Sequence, residues 1–243
     1  MTLKLNPHVS VDCVVFGFDG LGLNVLLIDR NSDSKISKEQ SKNQTQKLPG
    51  SLVFDDEDVD TAAIRVLSEL TGLENIYLQQ FHVFGSPVRL NKKEDLEWLQ
   101  SSTGMKVKRV VTVAYYSLIK LTKNMVINGK ASWCKVSELP ELIFDHKEII
   151  QRGLFVLRRE LQTEPIVFEL LPKKFTIRQL QTLYEIILGK KLDNRNFRKS
   201  INKWGYIVAI DEKEKYVAHK PAQFFKFDKK IYQKKRSGYF SED

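Results

Sequence analysis

The run FTIRQLQTLYEIILGKKLDNRNFRKSINKWGYI, residues 175–207, leaves this chain few folds to choose from. Thr176 followed by Gln179 makes a capping box, in which side chain and backbone at a helix start satisfy each other. Ile177, Leu180, Tyr184 and Ile187 recur at helical spacing and give one apolar face. Gly189 suits the left-handed backbone that ends a helix. After the short turn Lys190, Lys191 and Leu192, Asp193 is a good N-cap for a second helix. There Phe197, Ile201 and Trp204 share one side, and Asn194, Arg195, Arg198, Lys199 and Asn202 take the other, up to Gly205. Two capped helices joined by a short turn, the second with a basic, amide-rich face, form the helix-turn-helix pattern.

The residues that follow extend this pattern. YIVAIDEKEKYVAHK (206–220) reads as two strands around a charged turn, the wing of a winged helix, and FFKFD (224–228) as a further strand. The tail KKIYQKKRSGYFSED is basic and is expected to fray. Arg binds guanine edges in bidentate fashion, Asn binds adenine, and Lys mostly meets phosphate. The candidate DNA contacts are Thr176, Lys191, Asn194, Arg195, Asn196, Arg198, Lys199 and Lys203, with Lys213 and Lys215 in the wing, where His219 and Lys220 could also reach the backbone. Charge supports this placement. Residues 1–146 hold 17 Lys and Arg against 18 Asp and Glu, whereas residues 147–243 hold 22 against 12. The excess behind the formal charge of +9 therefore lies wholly in the last two fifths, as expected where one domain meets a polyanion. A winged helix that binds protein instead is the competing reading.

The rest of the chain alternates strand and helix signals. VSVDCVVFGF (9–18) and LNVLLIDR (23–30) read as a hairpin, and the polar run 31–47 as a long loop. Residues 75–85 and 107–121 read as strands, with a polar insert and a short helix at 91–103, and 131–142 as a final strand and turn. HKEIIQRGLFVLRREL (146–161) is amphipathic and reads as a connecting helix. Cys13 and Cys134 lie in strand-like runs, which argues against a disulfide framework. The start of the chain lacks an apolar signal core, and no run approaches the ~20 apolar residues of a membrane span. A reducing cytoplasm is expected. The four histidines have no ligand spacing, and neither a phosphate loop nor a nucleophile elbow is present, so no metal or cofactor is expected.

The stretch LPGSLVFDDEDVDTAAIRVLSELTGL (48–73) resembles a Nudix box, G-x5-E-x7-R-E-U-x-E-E-x-G-U, where U is a bulky apolar residue. Arg65 takes the Arg position, Thr71, Gly72 and Leu73 fit the close, and Glu57 and Glu69 fall on two of the Glu positions. Ser51 stands where the family has Gly, with Gly50 one position earlier, and Val66 and Leu70 stand where it has Glu. In the full motif carboxylates at these three helical positions, i, i+3 and i+4, share a face and hold Mg²⁺, which activates water. Val66 and Leu70 offer no oxygen, so Glu69 alone should hold the metal weakly, and Glu57 and Arg65 could simply pair to brace the loop. The expectation is a kept pocket and a lost reaction: not an enzyme.

A degenerate Nudix domain followed by a winged helix resembles the Nudix-related transcriptional regulators. FGSPVR, VVTVAYYSLI, FDHKEII and the run from FELLPKKFTIRQ to NKWGYI carry the resemblance over nearly the whole chain. It implies an α+β chain: a Nudix α/β/α sandwich at 1–145 that senses an effector, a connecting helix at 146–163, and a winged helix-turn-helix at 164–243. It implies a dimeric bacterial regulator on palindromic operator DNA, gated by a small molecule: ADP-ribose in one branch, a sugar such as L-arabinose in another. The lost carboxylates lean toward the sugar branch, because sugars need hydrogen bonds and an aromatic face rather than cations. The candidate effector residues are Glu57, Arg65, Glu69, His82, Tyr115 and Tyr116. The helix at 146–161 is the natural lever, since a tilt there changes the spacing of two recognition helices. An active diphosphate hydrolase with a nucleic-acid-binding appendage is the alternative, and a non-catalytic adaptor for protein partners is a third reading.

Overall fold

A computed structural model describes residues 4–30, 46–122, 124–128, 130–215 and 220–238. Most of the expected 31–47 loop and the wing tip with His219 lie outside these residues. The chain divides into two compact units, Met1–Arg159 and Glu160–Asp243.

The first unit is built on β1 (Leu5–Phe18), which pairs antiparallel with β2 (Leu23–Asp29) and β4 (Gly50–Phe54) and parallel with β6 (Val111–Lys120). Short β3 (Gln46–Lys47) and β7 (Ala131–Lys135) join β2, and β5 (Gln79–Phe84) joins β6 at the other edge. A strand covered on both faces reads as an unbroken apolar run, and Val11–Phe18 is buried throughout. Its odd-numbered Val11, Cys13 and Val15 pack with Ala62, Ala63, Val66 and Leu67 of α1 (Val59–Thr71). Asp58 caps α1 by accepting from the amides of Asp60 and Thr61, and Gly72 closes it at φ 72°. On the opposite face lies α3 (His146–Glu160): a Cβ on Gly153 would sit 3.6 Å from the Phe16 ring and 3.5 Å from Phe81. Helices on both faces give the expected α/β/α sandwich. The insert folds as α2 (Lys93–Thr103), whose Leu96 and Leu99 cover a small core of Leu52, Leu90, Val107 and Val110. The strand expected from residue 75 begins only at Gln79, since Asn75 takes a left-handed φ of 56° that breaks the extended path.

The second unit is a winged helix. Around α4 (Ile177–Leu188) and α5 (Asn194–Trp204) lies a three-stranded antiparallel sheet of β8 (Phe175–Thr176), β10 (Gln223–Phe227) and β9 (Ile207–Lys213), in that order. Its core is aromatic: Phe168 stacks on Phe227 with centroids 4.4 Å apart, and Tyr184, Phe197 and Trp204 meet between the helices. Of the tail expected to fray, residues 229–238 instead form α6 (Lys229–Gly238), and 239–243 lie outside the described residues. Asp228 caps it by accepting from the amides of Lys230 and Ile231, and Tyr232 packs against Tyr206 and Phe227. The basic composition of this segment hid its N-cap and its one aromatic anchor.

Asp12 interrupts the apolar face of β1, with only 7% of its side chain exposed. A buried carboxylate needs partners or it neutralises. Thr112 donates to its Oδ2 at 2.7 Å, Arg89 Nη2 lies 3.7 Å from the same oxygen, and His146 Nε2 lies 3.5 Å from Oδ1. Arg89 also forms a bidentate pair with Asp145, at 3.0 and 2.9 Å. His146 Nδ1 accepts from the Leu48 amide at 2.9 Å, which leaves the ring proton on Nε2, facing Asp12. Gly50 passes over this carboxylate so closely that a Cβ would lie 1.9 Å from Asp12 Oδ1. This explains why glycine stands at 50 rather than at 51. Gly50→Ala should therefore cost about 1–3 kcal/mol of stability, read as a lower denaturant midpoint at unchanged slope. Burial holds the His146 imidazole below its ordinary pKa, against the opposing pull of Asp12 and Asp145. The unfolded chain then takes up a proton first as pH falls, so the stability present above the ordinary value of 6.5 erodes below it. Melting curves from pH 7.5 to 5 should show this loss for the wild type and a flatter profile for His146→Gln, which keeps an acceptor and a donor.

Candidate functional site

The residues aligned with the Nudix box come together, but not as a metal site. Arg65 grips both oxygens of Glu57, with Nε to Oε2 at 2.9 Å, and its Nη1 reaches Glu69 Oε2 at 3.1 Å. The Phe54 amide donates to Glu57 Oε1 at 2.8 Å, and the guanidinium lies over the Phe54 ring. Arg65 holds the Glu57 carboxyl below its usual range. The pair fastens the loop to the helix start. Val66 is fully buried in the core, and Leu70 packs beside it. The donor set therefore does not fit the magnesium cradle of the full motif: two positions offer carbon, and Glu69 is engaged by a cation. Among the described residues no group of three His, Cys, Asp or Glu is placed to hold a metal ion.

His82, Tyr115 and Tyr116 lie elsewhere. Tyr115 is buried in the core against α1 and donates its hydroxyl to Asp60. Tyr116 bonds Gln79 Oε1 at 3.3 Å, and exposed His82 stands on β5 with its ring against Phe84. None of these three is among the residues lining the cavity that Gly50, Ser51 and Leu70 of the box help to form.

A cavity of about 270 Å³ opens beside Asp12 instead. Asp12, Arg89 and His146 form one end, Lys47, Gly50 and Ser51 a side, and Leu70 of α1 marks where the box reaches it. Trp98 of α2 and Phe144 supply aromatic walls 6.1 Å apart. The Trp98 Nε1–H is buried without a hydrogen-bond partner among the described residues, so a donor stands ready for an acceptor. Arg30 and Lys47 sit over its ring at 5.2 and 5.3 Å. Arg30 also pairs with buried Asp95 at 3.2 Å, and Asp95 accepts from the Phe144 amide at 2.9 Å. That bond holds Phe144 at a left-handed φ of 51°, unusual for a ring-bearing residue. An aromatic wall, hydroxyls from Ser10, Ser51 and Thr103, and a neutral imidazole suit a ligand with a flat base and sugar hydroxyls. The sequence reading missed Asp12, Arg89, Trp98 and His146. The signal for the first was present: one carboxylate inside the apolar run VSVDCVVF.

In the second unit the turn between α4 and α5 is clamped. Glu185 accepts from the Leu192 amide at 3.0 Å and from Lys191 Nζ at 3.1 Å, and these bonds with Gln181 pull its carboxyl down to about 2. Gln181 Nε2 donates to the Leu192 carbonyl at 2.9 Å and to Asn194 Oδ1 at 2.7 Å. Thr176 is buried and engaged in its capping box. Thr176, Lys191 and Asn194 thus have structural partners. Arg195, Asn196, Arg198, Lys199 and Lys203 project from the exposed face of α5, opposite buried Phe197 and Ile201, and Lys213 and Lys215 are exposed in the wing.

Residues 167–227 match the family described as the NrtR DNA-binding winged helix domain. Over 233 residues the chain is 29% identical to the ADPR responsive transcriptional repressor NtrR of Acinetobacter baylyi, covering 91% of this chain and 82% of that protein. The fold is shared with Shewanella oneidensis NrtR, solved with a 27mer DNA, at TM-score 0.63 and 21% identity over 93% of this chain and 95% of that one. It is shared equally with a MutT/nudix family protein from Enterococcus faecalis, at TM-score 0.63 and 21% identity over 94% and 89%. The winged-helix match and the likeness to a repressor over most of the chain, set on this fold, are what it shares with the Nudix-related transcriptional regulators.

Proposed function

We propose that the chain is a cytoplasmic, dimeric repressor that binds palindromic operator DNA through α5 and the wing. An ADP-ribose-like metabolite held in the cavity beside Asp12 changes that affinity. The observation that carries this reading is the cavity's polar end. Its wall is His146, the first residue of α3, and behind Arg89 stands Asp145, the residue just before that helix. The helix runs 15 residues, about 22 Å, to the point where the second unit begins. A ligand that draws on Arg89 or His146 acts directly on the root of this helix. Only a difference in ligand affinity between the DNA-competent and incompetent states shifts their balance.

The reading is non-catalytic, because Val66 and Leu70 replace the metal-binding carboxylates and Arg65 occupies Glu69. A nucleotide-type effector is favoured over a simple sugar. The lost carboxylates leaned toward a sugar, but Tyr115, Tyr116 and His82, the residues expected to serve one, are not among those lining this cavity, and the Acinetobacter relative is named for its response to ADP-ribose.

Gel shifts on the duplex upstream of the chain's own gene, with and without ADP-ribose, should show a change in DNA affinity of about 5- to 150-fold. Trp98→Ala should weaken ADP-ribose binding by calorimetry and leave DNA binding intact. No effect of ADP-ribose on DNA binding, or its steady cleavage with Mg²⁺, would turn the assignment toward the hydrolase. In Asp145→Asn each ligand should still bind, but the ratio of DNA affinities with and without ADP-ribose should fall toward one.

A further inference from the structure

The matched winged-helix domain ends at residue 227, but the second unit goes on into α6. We propose that α6 is an additional DNA-contacting element, a sequence-independent clamp on the phosphate backbone beside the recognition helix, formed by Lys229, Lys230 and Lys234. This rests on the DNA-binding reading above.

Three observations support it. First, α6 is attached to the end of α5: Lys235 Nζ donates to the Trp204 carbonyl, the last residue of that helix, at 2.9 Å. A cation there also complements the negative end of the helix dipole. Second, the attachment is firm. Tyr232 sits 5.4 Å from the Tyr206 ring and donates to Glu164 Oε2 at 3.1 Å, and Arg236 pairs with the same carboxylate at 2.8 Å. Lys235 and Arg236 thus hold the helix in place. Third, Lys229, Lys230 and Lys234 are exposed, the last two one turn apart on a shared outward face, and α6 contains no acidic residue.

The dimensions fit a backbone contact. An 11-residue helix is about 16 Å long, and the major groove is about 12 Å wide. A helix lying across that groove carries its ends to the phosphate ridges. Whatever is fixed to the end of α5 is then delivered to a ridge, where lysines neutralise phosphates and release counterions. Such contacts add affinity and salt dependence without reading bases.

The test uses the full chain and a random-sequence duplex of about three turns. Binding is measured across a salt series for the wild type, for Lys229→Gln, Lys230→Gln and Lys234→Gln combined, and for Lys106→Gln with Lys108→Gln, an exposed control pair in the first unit. Glutamine keeps helix propensity, and a melting curve confirms folding. The slope of log affinity against log salt should become shallower by about 2 to 3 per bound protomer in the α6 variant, roughly one per lost phosphate contact, and stay unchanged in the control. An unchanged slope in a folded α6 variant, while Arg195→Ala still weakens binding, overturns the clamp alone. A wild-type protein without salt-dependent binding overturns both the clamp and the DNA-binding reading.

Discussion

The first unit is organised around one buried carboxylate. Asp12 sits in the central strand between buried Val11 and Cys13, and a lone charge there is intolerable. Its requirement for partners draws in Thr112 from β6, Arg89 from the loop after β5 and His146 from α3. It also forces glycine at position 50, where the segment leading to the box crosses above it. Four separated parts of the chain are thereby gathered at one point, and the cavity is the space left beside them. Such a network is costly to disturb in part, because each removed partner leaves a buried charge exposed to apolar surroundings. That makes it a suitable place for a ligand to act, since small changes in its bonding carry large energies.

The α1 helix keeps the ties that order its loop while two of its expected metal-ligand positions hold carbon. Arg65 and Glu57 still tie the loop to the helix, which is a structural task independent of any metal. Val66 has joined the core and Leu70 faces the cavity, so the same surface now favours apolar contact over cation binding. The hydrogen-bonding capacity lies instead at the opposite end, with Asp12, Arg89, His146 and the unpartnered Trp98 N–H.

Much of the fold was legible because its signals are local. Asp58 and Gly72 bracket α1, Thr176 and Gln179 open α4, and Asp193 and Gly205 bracket α5, each by hydrogen bonds within a few residues. The amphipathic spacing of α3 was equally plain. The cavity was less legible, because it is assembled from residues up to 134 positions apart, Asp12 and His146, whose pairing depends on how β1 and α3 pack and not on spacing. Tyr115 and Tyr116 show the reverse error: an aromatic pair in a strand alternates faces, so one ring went to the α1 core and the other to the opposite side. The α6 helix escaped notice because its run of lysines outweighed Asp228 and Tyr232, the two residues that fix it.

The clamp around Glu185 bears on how the two units tolerate acid. Its carboxyl stays ionised down to about pH 2, so the bonds that set the angle between α4 and α5 survive in any compartment a cell maintains. His146, at the root of α3, instead resists protonation chiefly through burial, with smaller help from Arg89 and Lys47. Mild acidification therefore bears on the root of α3, while the turn that aims α5 keeps its own fastening.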